Sequence, residues 1–497
     1  MIFSHDIIYS DREDNMSVLE NYEPKKVFEY FEKIAAIPHG SRNTKAISDF
    51  LVDFAKERGL EHYQDESNNV VIIQEATAGY ESAEPVIIQG HMDMVCEKEN
   101  GIEKDFEKEG LDLYVDGDFL KAKGTTLGGD DGIAVAFALA IMDSPEIAHP
   151  RLEVVITVDE EIGMLGADAI DLSMLKGHKM LNLDSDEEGH FLTSCAGGMT
   201  VETSIPVQYT DADGLAVTLK VTGLEGGHSG SEINKEHANA NIVMGRVLKA
   251  ITEDVPFGVA SLAGGLKDNA IPRECTAEIV IDEADADELD EIIEDLNRTL
   301  AAEYSVADKG IKIEMTAGSK EEKKVLTFAS LTKVIFYLRN VPNGVLHMSQ
   351  IMPGLVETSL NAGIMTLNEQ ELHITTSVRS SVSTRKADTL DKLTMLAQFL
   401  GGDVDVNGDY PAWEYVADSD IRDTISEVYK GLFNEEPVFE AIHAGLECGI
   451  LSGKIKDLDC VSFGPDNFDI HTPKERLSIS STQRTWKLVV EFLKRCK

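Results

Sequence analysis

Residues 86–93, V-I-I-Q-G-H-M-D, constrain this chain more than any other stretch. Three β-branched apolar residues suit a buried strand, Gly90 marks its end, and His91-Met92-Asp93 follows at once. Side chains alternate along an extended segment, so His91 and Asp93 are expected on one side. An aspartate so placed can hold the imidazole ring, as the outer partner of a metal-bound histidine commonly does. Alone, a histidine and an aspartate at a strand exit decide nothing. Two more stretches share the design.

Residues 152–158 form another β-branched run and end in Asp159-Glu160-Glu161, and residues 180–183 end in Asp184. Between them, G-T-T-L-G-G-D-D-G at 124–132 leads into an apolar helix expected over 133–142. Amphipathic helices are expected over 25–36 and 44–58, the second with Ile47, Phe50, Leu51 and Phe54 on one face. Strands alternating with helices predict an α/β domain with a mainly parallel central sheet. Ligands of such sheets collect beyond the carboxyl ends of the strands. His91, Glu160 with Glu161, and Asp184 all sit at such ends, and Asp130 or Asp131 in the glycine-rich loop can reach the same crevice.

Past residues 195–198 the pattern changes. A strand at 216–222 runs into G-L-E-G-G-H-S-G, followed by a helix at 237–251, a strand at 275–282 and an acidic helix at 285–302. A second round follows: strand 311–315, helix 325–339, strand 371–378, helix 386–399 and strand 403–406. The pattern predicts two similar α+β units in tandem. Helices return after Trp413 and end with one at 485–495. The expected organisation is therefore one larger domain made of 16–196 and 409–497, with 197–408 inserted in it. Residues 1–15 are expected to be a loose or mis-started extension, with Met16 a second possible start.

Bulk properties narrow the partners. A chain of 497 residues suffices for at least two domains with full cores. Its formal charge of −44 repels phosphate backbones and anionic lipid, which argues against nucleic acid or a membrane surface as partner. No apolar run approaches the ~20 residues that span a bilayer. The six cysteines form no C-x-x-C pair, so free thiols in a reducing, cytoplasmic setting are expected.

The candidate ligands are His91, Asp130 or Asp131, Glu160 or Glu161, Asp184 and His471. Imidazoles and carboxylates without cysteine suit a pair of divalent ions, zinc first, cobalt or manganese next. Two ions about 3.5–4 Å apart need one bridging carboxylate. Neighbouring Glu160 and Glu161 should face opposite ways on an extended strand, which leaves one free as a general base. The glycine-rich stretch at 223–230 has the spacing of neither a phosphate loop nor a nucleophile elbow.

Taken together, G-H-M-D-M-V, G-T-T-L-G-G-D-D-G, D-E-E-I-G-M-L-G-A, N-L-D-S-D-E-E-G, G-L-E-G-G-H-S-G, N-A-I-P-R-E, I-H-A-G-L-E-C-G and the segment through His471 resemble the aminoacyl-histidine (Xaa-His, cytosol non-specific) dipeptidases of the co-catalytic dizinc peptidases. The resemblance runs from Ser17 to Lys497. It implies a zinc-peptidase-like catalytic domain and a lid of two ferredoxin-like halves. It also implies two zinc ions per chain, one held by His91 and Asp184, the other by Glu161 and His471, with Asp130 between them. Asp93 would steady His91, Glu160 would be the general base, His228 would stabilise the oxyanion and Arg379 would clamp the substrate's carboxylate. The implied activity is hydrolysis of L-dipeptides, Xaa-His and carnosine-like substrates preferred, by a homodimer. An N-acyl amino acid deacylase or a non-catalytic peptide-binding protein are the alternatives.

Overall fold

The computed structural model describes residues 17–497; the expectation for residues 1–15 lies outside them. Contacts divide the described residues into two compact units, one of 17–193, 416–439 and 454–497, the other of 194–415 and 440–453. Residues 440–453, expected with the C-terminal segment, thus belong to the second unit. The cause is local: the Ala196 N–H donates to the carbonyls of Ile442 and Ala444, and His443 shares a 2.7 Å hydrogen bond with Ser359.

In the first unit, six strands of the central sheet lie in the order Glu61–Gln64, Val70–Gln74, Leu152–Thr157, Val86–His91, Lys179–Asn182 and Asp459–Ser462. The last four are mutually parallel, as the β-branched runs and intervening helices predicted. The helix Gly129–Met142 is buried on nearly all sides, which suits a segment apolar all round. It packs on the helix Lys25–Ala35 and on the strand Val86–His91. Phe137 on it lies 5.8 Å, ring to ring, from Trp486 of the last helix, Ile479–Arg495. A continuous core therefore sits beneath the strand ends that carry the polar residues. Among the described residues no helix is long and apolar enough to cross a membrane, and all six cysteines are free.

The second unit is built on one nine-stranded antiparallel sheet, and here the tandem reading is corrected. The sheet runs Lys312–Leu326, Tyr209–Thr222, Cys275–Ile281, Phe257–Gly264, Val356–Leu367, Glu371–Ser380, Gly197–Pro206, Asp403–Tyr410, with Gly344–Met348 beside Val356–Leu367. Strands of the first half, numbered by their order in the chain, stand 4-1-3-2 in the sheet, and those of the second half 2-3-1-4. This is the ferredoxin-like order twice. The halves are nested rather than consecutive: Gly197–Pro206 opens the outer half, the whole inner half follows, and the outer half resumes at the helix Phe328–Asn340. The strand expected to begin a second round at 311–315 is instead the last strand of the inner half. The halves meet where Phe257–Gly264 pairs with Val356–Leu367, through Ala263 with Thr366 and Gly264 with Met365.

Candidate metal centre

His91 ends its strand with the ring buried. Its Nδ1 lies 3.0 Å from the carbonyl of Asp93 and 3.5 Å from the Asp93 carboxylate, so the two residues share a side as the alternation predicts. Asp93 is itself fixed, accepting from Ser41 Oγ at 2.8 Å and from the Glu160 N–H at 3.2 Å. With Nδ1 engaged, Nε2 points outward, 3.0 Å from Asp130 Oδ1 and 3.7 Å from Asp184 Oδ1.

The two aspartates of the glycine-rich loop part company. Asp130 and Asp131 have non-helical backbone angles at the start of the helix Gly129–Met142, and the bond between them is cis. Asp130 presents Oδ1 to His91 and Oδ2 to His471 Nε2 at 3.1 Å. Asp131 turns inward, and its Oδ2 accepts the backbone N–H of His91 at 3.1 Å. Gly90 makes room for it: a Cβ there would fall 2.4 Å from Asp131 Oδ2 and 2.6 Å from Ala134 Cβ.

The opposed directions expected of Glu160 and Glu161 are not found. The strand stops at Thr157, and Asp159 takes a left-handed φ of 55°, so the pair lies on a turn rather than on extended chain. Ligand atoms of His91, Glu160 and Glu161 then lie within 4.8 Å of one another. Two further groups meet the same limit, His91 with Asp130 and Asp184, and Asp130 with Glu161 and His471. Glu161 Oε2 is 3.0 Å from His471 Nε2, whereas Glu160 takes no part in the His471 group.

Electrostatics and donor chemistry both fit cations. Burial would raise the Asp130 carboxyl, but hydrogen bonds from His471 and His91 outweigh it and hold the group below its usual value. Asp184 is pushed up to about 6 by burial and the charges of Asp130 and Glu161. His471 is lifted to about 10 by Asp130 and Glu161, and His91, despite burial, is raised well above normal by Asp130, Asp184 and Asp93. Converging carboxylates thus demand positive charge, which protons on two imidazoles supply and divalent ions can supply instead. Glu161 Oε1 is buried and has no hydrogen-bond partner among the described residues, the state of a carboxylate oxygen shaped to ligate. The residues present fit a divalent pair, with Asp130 shared between the groups.

His228 and Arg379 lie in the second unit. The backbone N–H groups of Gly230 and Ser231 both point at His228 Nδ1, at 3.2 Å, which leaves the proton on Nε2. Burial and the charge of Arg379 lower the His228 pKa, so the ring is a neutral Nε2–H donor. Arg379, on the strand Glu371–Ser380, reaches Tyr410 Oη at 3.4 Å, and its buried Nε has no hydrogen-bond partner among the described residues. Arg379 also lowers His443, burial being the larger cause, to about 4. Sequence reasoning noted the motif around His443 without a role and missed Tyr410. It missed Glu475 too, whose only signal was its place four residues after His471.

Residues 87–495 match the model of peptidase family M20/M25/M40. Over 481 residues the chain is 35% identical to the cytosol non-specific dipeptidase of Escherichia coli (strain K12), spanning 96% of this chain and 99% of that protein. The crystal structure of aminoacylhistidine dipeptidase from Vibrio alginolyticus aligns with a TM-score of 0.90 and 33% identity, over 96% of this chain and 97% of that one. An aminopeptidase structure from Bacillus cereus ATCC 10987, 14% identical with a TM-score of 0.56, shares the fold. By its strand-end carboxylates, its nested second unit and its match over most of its length, the chain is a hydrolase of peptidase family M20/M25/M40.

Proposed function

We propose that this peptidase hydrolyses L-dipeptides, preferring histidine at the C-terminus, with two zinc ions per chain. One observation carries the reading: the Asp130 carboxylate divides its oxygens between His91 at 3.0 Å and His471 at 3.1 Å, with Asp184 and Glu161 completing the two groups. Zinc is favoured by the mixed imidazole and carboxylate donors, with cobalt or manganese able to substitute. A divalent pair held by His91, Asp130, Glu161, Asp184 and His471 would supply Lewis acidity for the scissile carbonyl and for the attacking water.

The chain's own residues divide the remaining work. Glu160, beside His91 but outside the His471 group, takes the proton from the attacking water and passes it to the leaving amine. Its backbone is held by Asp93, which also orients the His91 ring. His228 donates Nε2–H to the developing oxyanion, the role its neutral tautomer suits. Arg379 forks onto the dipeptide's terminal carboxylate, and its unpartnered Nε is the free donor such a contact requires. The Xaa-His preference follows the name of the Vibrio alginolyticus structure, and a cytoplasmic location follows the name of the Escherichia coli relative. A homodimer rests on resemblance alone.

The test is a substrate panel of Ala-His, β-Ala-His, N-acetyl amino acids and tripeptides, run with and without a chelator and with zinc, cobalt and manganese added back. Chelator-sensitive cleavage of the dipeptides is expected. Preference for N-acetyl amino acids would instead make the protein a deacylase. Purified protein with no divalent ion and no chelator effect would make it a peptide binder.

A further inference from the structure

Glu475 is 3% exposed, far from water for a carboxylate, and its surroundings explain why. Four consecutive backbone N–H groups converge on it. Those of Leu127 and Gly128 donate to Oε2 at 2.7 and 3.1 Å, and those of Gly129 and Asp130 to Oε1 at 2.8 and 3.4 Å. Asn467 completes the cradle, its side-chain oxygen accepting from the Asp130 N–H at 3.1 Å and its nitrogen donating to the Arg476 carbonyl at 3.2 Å. On the other side, the Glu475 N–H donates to the Thr472 carbonyl at 3.1 Å, closing a turn that begins directly after His471. One short segment therefore carries His471 and also grips the loop that carries Asp130, some 345 residues away in sequence.

We infer that Glu475 is a positioning residue for the metal centre: it locks the His471 turn to the Asp130 loop and so sets the spacing of the Asp130, Glu161 and His471 group. The inference rests on the reading of that cluster as a metal site. The His91 side needs the clamp less, because His91 is fixed by its own strand, by Asp93 and by the Asp131 contact to its N–H. A carboxylate suits the task, since charge-assisted bonds to backbone N–H groups are strong and a buried acceptor pair spans four donors at once. Glutamine would put an NH₂ against one pair of N–H groups and open that side of the clamp.

The experiment is a zinc titration of full-length, metal-stripped protein against a chromophoric chelator, for the wild type and the variants Glu475→Gln, His471→Ala and the double variant. Wild type should bind two ions. Glu475→Gln should weaken one of them about 10–100-fold, the usual cost of losing an outer-shell partner, and leave the other within about 3-fold. His471→Ala should weaken the same ion, and the double variant should add little beyond His471→Ala, as residues acting through one another do. Excess zinc should restore turnover to Glu475→Gln. Should Glu475→Gln fail to fold, Gly129→Ala presses on the clamp from the loop side, since its Cβ would lie 2.9 Å from the Asn467 side-chain amide and 3.2 Å from Glu475 Oε1. It should give the same selective loss. Unchanged binding of both ions, or equal weakening of both, overturns the role of Glu475 while leaving the metal centre standing. A wild type that binds no ion removes the metal centre itself and this role with it.

Discussion

The Asp131 carboxylate accepts the backbone N–H of His91 at 3.1 Å, across 40 residues of sequence. It therefore supports the strand end that presents the imidazole, while its neighbour Asp130 faces the two histidines. Burial and the charge of Asp184 raise the Asp131 pKa well above the carboxylate range, so the group is suited to being neutral. Asparagine keeps an oxygen for the His91 N–H and carries no charge. Asp131→Asn should thus retain both ions and turnover within about 10-fold, whereas Asp130→Asn should lose at least one ion. Metal content by elemental analysis, beside kcat, checks the pair. Equal damage from both would put Asp131 in the ligand set.

Gly90 carries a related expectation. A methyl group there meets the Asp131 carboxylate and Ala134 far inside contact distance, in the buried strand that ends at His91. Gly90→Ala should cost about 1–3 kcal/mol of stability, the range for overpacking a closed core, and should lower zinc affinity as well. Urea unfolding of the metal-stripped protein measures the first and chelator competition the second. A variant as stable as wild type would mean the contact yields easily.

Glu160 should be dispensable for metal and indispensable for turnover. Glu160→Gln removes a proton acceptor without altering shape, so kcat should fall by about 10²–10⁴ while two ions stay bound. A variant with near-normal kcat would take the base role away from Glu160. Loss of an ion would move Glu160 into the ligand set beside Glu161.

The strand-end histidine and acids were legible because parallel sheets gather polar residues at one end, a rule that needs only the order of strands and helices. His471 was harder, lying in a loop of the last segment with a left-handed φ of 61°, and the resemblance was needed to join it to Asp130. Orientation within the Glu160-Glu161 pair was not legible, because it depends on the backbone of Asp159 rather than on alternation. Nesting of the second unit escaped for a different reason. The strand Gly197–Pro206 pairs with Glu371–Ser380, Glu202 standing opposite Thr375, and nothing local in either strand names so distant a partner. Glu475 escaped similarly: its partners are main-chain N–H groups, which leave no mark in the sequence.

Arg379 should act on the substrate's terminal carboxylate. Arg379→Ala should raise KM for free dipeptides at least about 10-fold, since a charge-assisted fork is lost, and should scarcely change cleavage of dipeptide C-terminal amides. Arg379→Lys should recover little, because an ammonium cannot replace the planar fork. Steady-state kinetics on matched acids and amides decide the matter. Losses of equal size on both would assign the guanidinium to another group, Tyr410 being the nearest in hand.

Metal uptake should expel protons. In the metal-free protein His471 is lifted to about 10 by Asp130 and Glu161, and His91 is raised as well, against an ordinary value of about 6.5. A histidine whose pKa rises on folding adds stability that is complete below about pH 6.5 and fades as pH climbs through its folded value. Chelator-stripped protein should therefore lose stability between about pH 6.5 and 10, and metal-loaded protein should not, because ligated imidazoles hold no proton there to lose. By the same argument, zinc binding near pH 8 should release roughly two protons. Calorimetry in buffers of different ionisation enthalpy reads that number directly. Heats independent of buffer would mean that the two imidazoles are already neutral, and that neither is displaced from its carboxylates when the ions arrive.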